Sequence, residues 1–346
     1  MRQHLNTLFV TTEGAWLRKD GANIIVEVGR TEVGRVPAHM MGSVVCFGRV
    51  GMSPPLMGFC AEQGIAVSFL SEHGRFVARV EGPQSGNVLL RRRQYQAADD
   101  AAASALVARS FVAGKAANQR TVLRRALRDH GDSLGEAERA RLDGAQRRLG
   151  DVARLAAEAM ETDVVRGHEG DGASAYFGVF DLMIRVADPA LRFTGRSRRP
   201  PMDACNALLS FLYAMVGHDC RSALETVGLD PQVGFLHRDR PGRAGLALDL
   251  MEEVRPILAD RVALSLINRQ QVTAADFQRM EGGAVLLRDD ARKAVLAAYQ
   301  ERKRDEITHA FLDEKLTLGL VPHIQARLLA RHLRGDLDGY PPFLWK

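Results

Sequence analysis

The chain has 346 residues, 46% of them hydrophobic and 26% charged, with a net charge of +5, an ordinary balance for a soluble globular protein long enough for two domains. No run of eighteen or more apolar residues is present and the first six residues lack an apolar signal core, which excludes a transmembrane helix and points to the cytoplasm. Four cysteines, Cys46, Cys60, Cys205 and Cys220, show no Cys-x-x-Cys spacing and read as reduced core residues.

The first ninety or so residues have the period-two pattern of strands. Short β-branched runs occupy residues 8–10, 15–18, 23–28, 32–36 and 44–47, punctuated by Gly14, Gly21, Gly29 and Gly42. Residues 54–64 predict a short helix stopped by Gly64. Residues 65–70 form a buried strand, and residues 74–80 its hairpin return. The period changes near Gly86. From Val88 onward it is helical, with further helices over residues 118–130, 136–149 and 151–165. Glu169 falls in a glycine-rich stretch with Gly167, Gly170 and Gly172, which composition alone reads as a loop between helices. Asp203 is placed to cap a helix that continues through Tyr213. Helices follow at residues 262–268, 291–303, 307–318 and 322–333, with a small strand or hairpin at 282–287. The tail carries Tyr340, Phe343 and Trp345, aromatics expected to dock on the helical body. The fold class is α+β: an N-terminal β-strand domain, residues 1–90, then a larger all-α-helical C-terminal domain, residues 91–346.

One stretch concentrates residues capable of chemistry. His237 ends the apolar run Gly234-Phe235-Leu236, a basic turn with Arg238, Arg240 and Arg243 follows, and a probable helix then carries Asp249 and Glu252. Three residues apart, these two acids share a helical face. Two half-buried carboxylates about 5 Å apart at an effective dielectric of ~20 repel by roughly 3 kcal/mol, a cost that a divalent cation removes. Carboxylates with one imidazole suit Mg²⁺ or Mn²⁺ better than a thiolate-rich zinc site. The bland alternative is an acidic pair that favours the helix dipole, with Glu253-Val254-Arg255 an ordinary solvated face. On the repulsion argument, removing any one acid is neutral or mildly stabilising. Two other pairs carry no motif. His168-Glu169 lacks the second histidine of a zinc protease, and Gly114-Lys115 lacks the first glycine and the Ser/Thr of a P-loop.

Only six of the 47 basic residues are lysine, so arginine, the better phosphate fork, dominates. Arginines bunch at Arg91-Arg92-Arg93, at Arg196, Arg198 and Arg199, and at Arg238, Arg240 and Arg243. Bunching beside the His237 stretch favours a nucleic-acid partner over a merely biased composition.

These segments also occur in a recognisable order. Arg196-Ser197-Arg198-Arg199-Pro200-Pro201, Asn206-Ala207-Leu208-Leu209-Ser210-Phe211, Gly228-Leu229-Asp230-Pro231, Gly234-Phe235-Leu236-His237 and Leu246-Ala247-Leu248-Asp249-Leu250-Met251-Glu252-Glu253 together resemble the CRISPR-associated Cas-one family. That family comprises the integrase/endonucleases of spacer acquisition. Pro322-His323-Ile324-Gln325-Ala326-Arg327 and the Tyr340-Pro341-Pro342-Phe343 tail look like its type I-C version. The resemblance implies an N-terminal dimerisation domain, a helical catalytic domain and a Mg²⁺ or Mn²⁺ site. It places the metal ligands on Glu169, His237 and Glu252, with Asp249 as an assisting acid. It further implies a homodimer bridged by a small Cas-two partner, with a Cas-four-type processing protein as a further partner. The substrates implied are double-stranded DNA fragments and CRISPR repeat DNA, with phosphates held by Arg196, Arg198, Arg199, Arg238, Arg240 and Arg243. The rival readings are a general metal-dependent DNA nuclease and a DNA-binding scaffold with structural acids.

Overall fold

The computed structural model describes residues 6–82 and 88–345, so the change of period at Gly86 lies outside the described residues. Strands β1 (Asn6–Val10), β2 (Trp16–Asp20), β3 (Asn23–Val28), β4 (Thr31–Pro37), β5 (Met41–Phe47) and β6 (Gly51–Met52) precede helix α1 (Pro54–Gln63), which leads into β7 (Ala66–Leu70) and β8 (Phe76–Val80). They build two four-stranded sheets, β1-β5-β7-β8 and β4-β3-β2-β6. In the first, β1, β5 and β7 run parallel, and β8 returns antiparallel to β7 as a hairpin. Gly64 ends α1 at φ +67, a left-handed conformation that costs glycine little.

Between the sheets lies a small core of residues such as Leu17, Ile24, Val44, Cys46, Leu56 and Val67. Period two sends alternate side chains of β5 the other way, so Val45 and Phe47 join the main helical core. There Phe47 stacks on Phe211 with ring centroids 6.0 Å apart. All four cysteines are buried free thiols. Burial pushes Cys46 up to about 12.

The helical region contains α2 (Val88–Asp99), α3 (Ala101–His130), α4 (Glu136–Glu158), α5 (Thr162–Phe177), α6 (Ala204–Val227), α7 (Gly245–Arg255) and α8 (Arg261–Asn268). No described residue between 100 and 230 lies in a strand. The Asp203 carboxylate caps α6, accepting the Asn206 N–H at 2.7 Å. Helix α3 packs against α4, α5 and α7 and forms the spine of this region.

Three expectations need correction. Residues 136–165 form α4, a break at 159–161, and the start of α5, rather than helices split at Gly150. Glu169 is in the middle of α5, not in a loop. The C-terminal region is not all-α. Strands β9 (Phe277–Arg279) and β10 (Val285–Leu287) form one hairpin before α9 (Asp289–Arg304). Strands β11 (Glu306–His309) and β12 (Glu314–Thr317) form another where a helix over 307–318 was expected, before α10 (Val321–Arg334). Asp313, at φ +54 in the turn of that second hairpin, supplies the left-handed residue that lets the chain reverse. No helix among the described residues is long and apolar enough to cross a membrane.

Candidate active site

Helix α7 is buried along nearly its whole length, so each of its three acids must find a partner in the protein. At 100° per residue they point at three different neighbours. The solvated face expected at Glu253-Val254-Arg255 is therefore a buried one, because α7 runs through the core rather than over it.

Asp249 turns back toward the segment that precedes the helix. One oxygen, Oδ2, accepts the N–H groups of Phe235 at 2.6 Å and Leu236 at 3.0 Å. The other accepts the N–H of His237 at 3.0 Å and contacts its ring Nδ1 at 2.6 Å. An acceptor-only carboxylate requires the proton of the neutral ring on Nδ1, which leaves the Nε2 lone pair facing away. Asp249 is fully buried, and both its oxygens are committed to the loop and the ring.

That loop is held from every side. Gln94 on α2 donates to the carbonyls of Asp230 at 2.7 Å and Val233 at 2.8 Å, and accepts the Asp230 N–H at 2.9 Å. Ser104 on α3 donates to Phe235 O at 3.1 Å, and Arg166 on α5 to Leu236 O at 2.7 Å. Gly234 permits the approach to α7. A Cβ there would stand 2.7 Å from Asp249 Oδ2 and 2.7 Å from the Gly245 carbonyl carbon.

Glu252 faces the other way, into a cluster of charges. Its Oε2 lies 2.8 Å from the Lys115 ammonium and 2.5 Å from the Arg255 guanidinium, while His237 Nε2 is 4.0 Å from its Oε1. Burial pushes the Glu252 carboxyl up, but the charges of Arg255 and Lys115 outweigh it and hold the group at about 2. From α5, Glu169 makes a close ion pair with the same ammonium and lies 4.0 Å from Arg255. Lys115 thus stands where α3, α5 and α7 meet, with its side chain 2% exposed. Among the described residues no group of three His, Cys, Asp or Glu side chains is gathered to hold a metal ion. The ammonium occupies the meeting point of the two acids instead.

The sequence-predicted residues Glu169, His237 and Glu252 are brought together from three segments, and Asp249 stands behind His237. Asp249 and Glu252 are not a repelling pair, because Asp249 is committed to the N–H groups of the loop while Glu252 faces two cations. Lys115 and Arg255 were missed. The signal for Lys115 was one charged residue in the otherwise apolar helical run Phe111-Val112-Ala113-Gly114-Lys115-Ala116, a position that only a buried partner tolerates.

A family model described as CRISPR associated protein Cas1 matches residues 8–301. The chain belongs to the Cas1 family. It is 59% identical over 347 residues to CRISPR-associated endonuclease Cas1 2 of Rhodospirillum rubrum, with 100% of both chains covered. It is 53% identical to CRISPR-associated endonuclease Cas1 1 of Chlorobaculum tepidum, again with 100% of both covered. A CRISPR-associated exonuclease Cas4/endonuclease Cas1 fusion of Geobacter sulfurreducens is 37% identical over 340 residues, covering 97% of this chain and 60% of the fusion. Among solved structures, a casposase bound to integration product superposes with a TM-score of 0.83 at 21% identity, covering 98% of this chain and 94% of that one. A Cas6-RT-Cas1–Cas2 complex gives 0.79 at 22% identity, covering 99% of this chain and 36% of that one.

Around the charged cluster of this Cas1 chain the predicted arginines divide into two groups. Arg196 is half-buried, donates to Asn206 Oδ1 at 2.6 Å and to Ser197 O, and lies over the Tyr213 ring at 5.1 Å. It ties the basic loop to α6 instead of reaching outward. Arg198, Arg199, Arg238 and Arg240 are exposed, with Arg238 paired to Asp163 at 3.0 Å. Arg243 is held below the usual arginine range by burial and by the nearby charges of Arg240 and Arg199. Two segments forty residues apart in sequence therefore converge on one basic rim beside the His237 loop.

Proposed function

We propose that this Cas1 chain joins the 3′-hydroxyl ends of short double-stranded DNA fragments to CRISPR repeat DNA by phosphoryl transfer. The observation that carries the reading is that Glu169 and Glu252 share one buried cation, with His237 Nε2 4.0 Å from Glu252 Oε1, beside a rim of arginines. The donor set fits Mg²⁺ or Mn²⁺: two carboxylates already share one cation, and an imidazole nitrogen lies 4.0 Å from one of them. Glu169, Glu252 and His237 would hold the ion. When bound it supplies Lewis acidity toward a phosphate oxygen.

The protein's own groups do the remaining work. Asp249 fixes the imidazole so that Nε2, and not Nδ1, is presented. Arg255 adds fixed positive charge where a phosphate gains negative charge. Arg199, Arg240 and Arg243 neutralise the DNA backbone and contribute affinity without base choice.

The integration product held by the structurally similar casposase supports joining over simple cutting. The Cas4/Cas1 fusion and the Cas1–Cas2 complex support a small Cas2 partner and a Cas4-type processing partner. A fragment with two ends needs two centres at fixed spacing, which a symmetric homodimer provides. The exposed Trp16 and Val33 on the second sheet offer apolar surface for such pairing. Assignment to a type I-C system rests on the Pro322–Arg331 and Tyr340–Phe343 motifs.

The test is incubation of a labelled 3′-hydroxyl fragment with a supercoiled repeat plasmid and the Cas2 partner, in Mg²⁺, in Mn²⁺ or in chelator. Joined product that chelator abolishes is the expected result. Cutting without joining would favour the general nuclease, and joining unaffected by chelator would remove the metal from the reading.

A further inference from the structure

Lys115 is a buried ammonium set between the two acids that the proposed function assigns to a metal ion. Its Nζ makes a close pair with Glu169 and lies 2.8 Å from Glu252 Oε2. Such a charge is tolerated in the core only because both acids face it. With Arg255 2.5 Å from Glu252, two cations balance two carboxylates, and the cluster is neutral without any metal.

This arrangement has a consequence for metal loading. Mg²⁺ needs its oxygen donors at about 2.0–2.1 Å around one point. The Lys115 ammonium holds that central place between Glu169 and Glu252, so the carboxylates cannot close on an ion until it withdraws. Lysine suits this role because it is a point charge on a flexible four-carbon stem. Arg255, wedged between Glu252 and the Tyr213 ring at 5.2 Å, has less freedom to move aside.

Resting on the metal-dependent reading above, we propose that Lys115 is a built-in counter-cation that competes with the divalent ion for Glu169 and Glu252. It holds the acid pair together in the metal-free chain and weakens metal binding until a DNA phosphate adds negative charge. Loading of the site is thereby linked to the presence of substrate.

The experiment uses the full chain without DNA and measures Mn²⁺ binding by the paramagnetic resonance of the free ion, for wild type, K115M, K115R and E169A. K115M keeps an unbranched side chain, shorter by the terminal nitrogen, and removes its charge. It is expected to bind Mn²⁺ at least about tenfold more tightly than wild type, a change of ~1.4 kcal/mol. K115R, which keeps the charge, stays near wild type, and E169A binds more weakly. Without metal K115M melts below wild type, and Mn²⁺ raises its melting temperature by more. Equal or weaker Mn²⁺ binding by K115M, with wild type and E169A behaving as expected, overturns the competition while leaving the metal reading intact. No binding by any of the four overturns both. A measurement on wild type covers the case in which K115M does not fold. The chain has six lysines, and the Lys115 side-chain Cε resonance, identified by its loss in K115R, should shift saturably as Mg²⁺ is added. A Lys115 resonance that stays in place at saturating Mg²⁺ overturns the proposal.

Discussion

Asp249, Glu252 and Glu253 lie within five residues of one helix and have three separate environments, so substituting each should give a different result. Glu252 neutralises two buried cations, with its own side chain 4% exposed. Removing one partner of a buried charge cluster leaves the others uncompensated, at a cost of about 3–5 kcal/mol. Glu252→Ala should therefore abolish joining and lower the melting temperature together, the opposite of what repulsion between neighbouring acids would give. Glu169 itself is 27% exposed, but the Lys115 ammonium that its loss strands is 2% exposed and is left to share Glu252 with Arg255. Glu169→Ala should therefore abolish joining and also lower the melting temperature, by less than Glu252→Ala, which strands two cations. Joining assays run beside thermal melts of both variants check this, and retained joining by Glu169→Ala would take that residue out of the site. Spacing in the sequence marked Asp249, Glu252 and His237, because their residue types and separation are local information, whereas Glu169 entered only through the family resemblance. It did not mark Lys115 or Arg255 as their partners, because a contact between α3 and α7 exists only once the helices pack. Nor did spacing show that Asp249 serves the ring and the loop, since a helical face shared with Glu252 does not say which neighbour each acid meets.

The element that positions His237 is the segment from Asp230 to His237, which has no regular structure and depends on its contacts with four helices. Its tightest point is Gly234, where a Cβ would come within 2.9 Å of Leu246 N and 2.7 Å of Asp249 Oδ2. Backbone and a buried carboxylate cannot yield as a flexible side chain would. Gly234→Ala should cost about 1–3 kcal/mol and displace the N–H groups that Asp249 accepts. Joining should fall further than stability, as a melt and an integration assay on the same preparation would show. An unchanged melting temperature with full activity would mean the loop relaxes freely. The elements legible in advance were those with local signals: the alternating strands, α1 ended by Gly64, and α6 capped by Asp203. Helix α5 was not legible around Glu169 because three glycines argue against a helix. One of them, Gly172, is explained by packing, since a Cβ there would meet Val152 Cγ1 on α4 at 3.1 Å. The β11–β12 hairpin was misread because Leu312 and Leu316, both packed on the core, have the i, i+4 spacing of a helix.

At the scale of the whole molecule the C-terminal tail closes over α3 and α7. Asn118 on α3 donates to Glu253 O at 2.8 Å and to Phe343 O at 2.9 Å, and accepts the Trp345 N–H at 2.8 Å. Beneath it Glu253 accepts from Tyr340 at 2.6 Å, Gln325 at 2.9 Å and the Phe343 N–H at 2.5 Å. Burial outweighs these donors and pushes the Glu253 carboxyl from 4.5 up to about 8. A carboxyl that stays protonated in the folded chain but ionises on unfolding releases a proton when the chain unfolds. Its contribution to stability is therefore fully present below pH 4.5 and is lost as pH rises toward 8. Glu253→Gln cannot ionise, so its melting temperature should gain on wild type steadily from pH 5 to pH 8. A constant difference across that range would show that Glu253 is charged in the folded protein. The basic rim makes the remaining prediction. Arg199 and Arg240 come from separate loops and are both exposed, whereas Arg196 is tied to Asn206. Each phosphate contact contributes about 0.9 to the slope of log K against log salt on duplex DNA. Replacing Arg199 and Arg240 together with glutamine should flatten that slope by roughly two and weaken binding to unrelated duplexes about equally. Replacing Arg196 should leave the slope in place and act through the position of its loop. Titrations at several salt concentrations against two unrelated sequences distinguish these outcomes. A loss confined to one sequence would mean that these arginines read bases, and a slope that moves only with Arg196 would place the phosphate path on the other side of the loop.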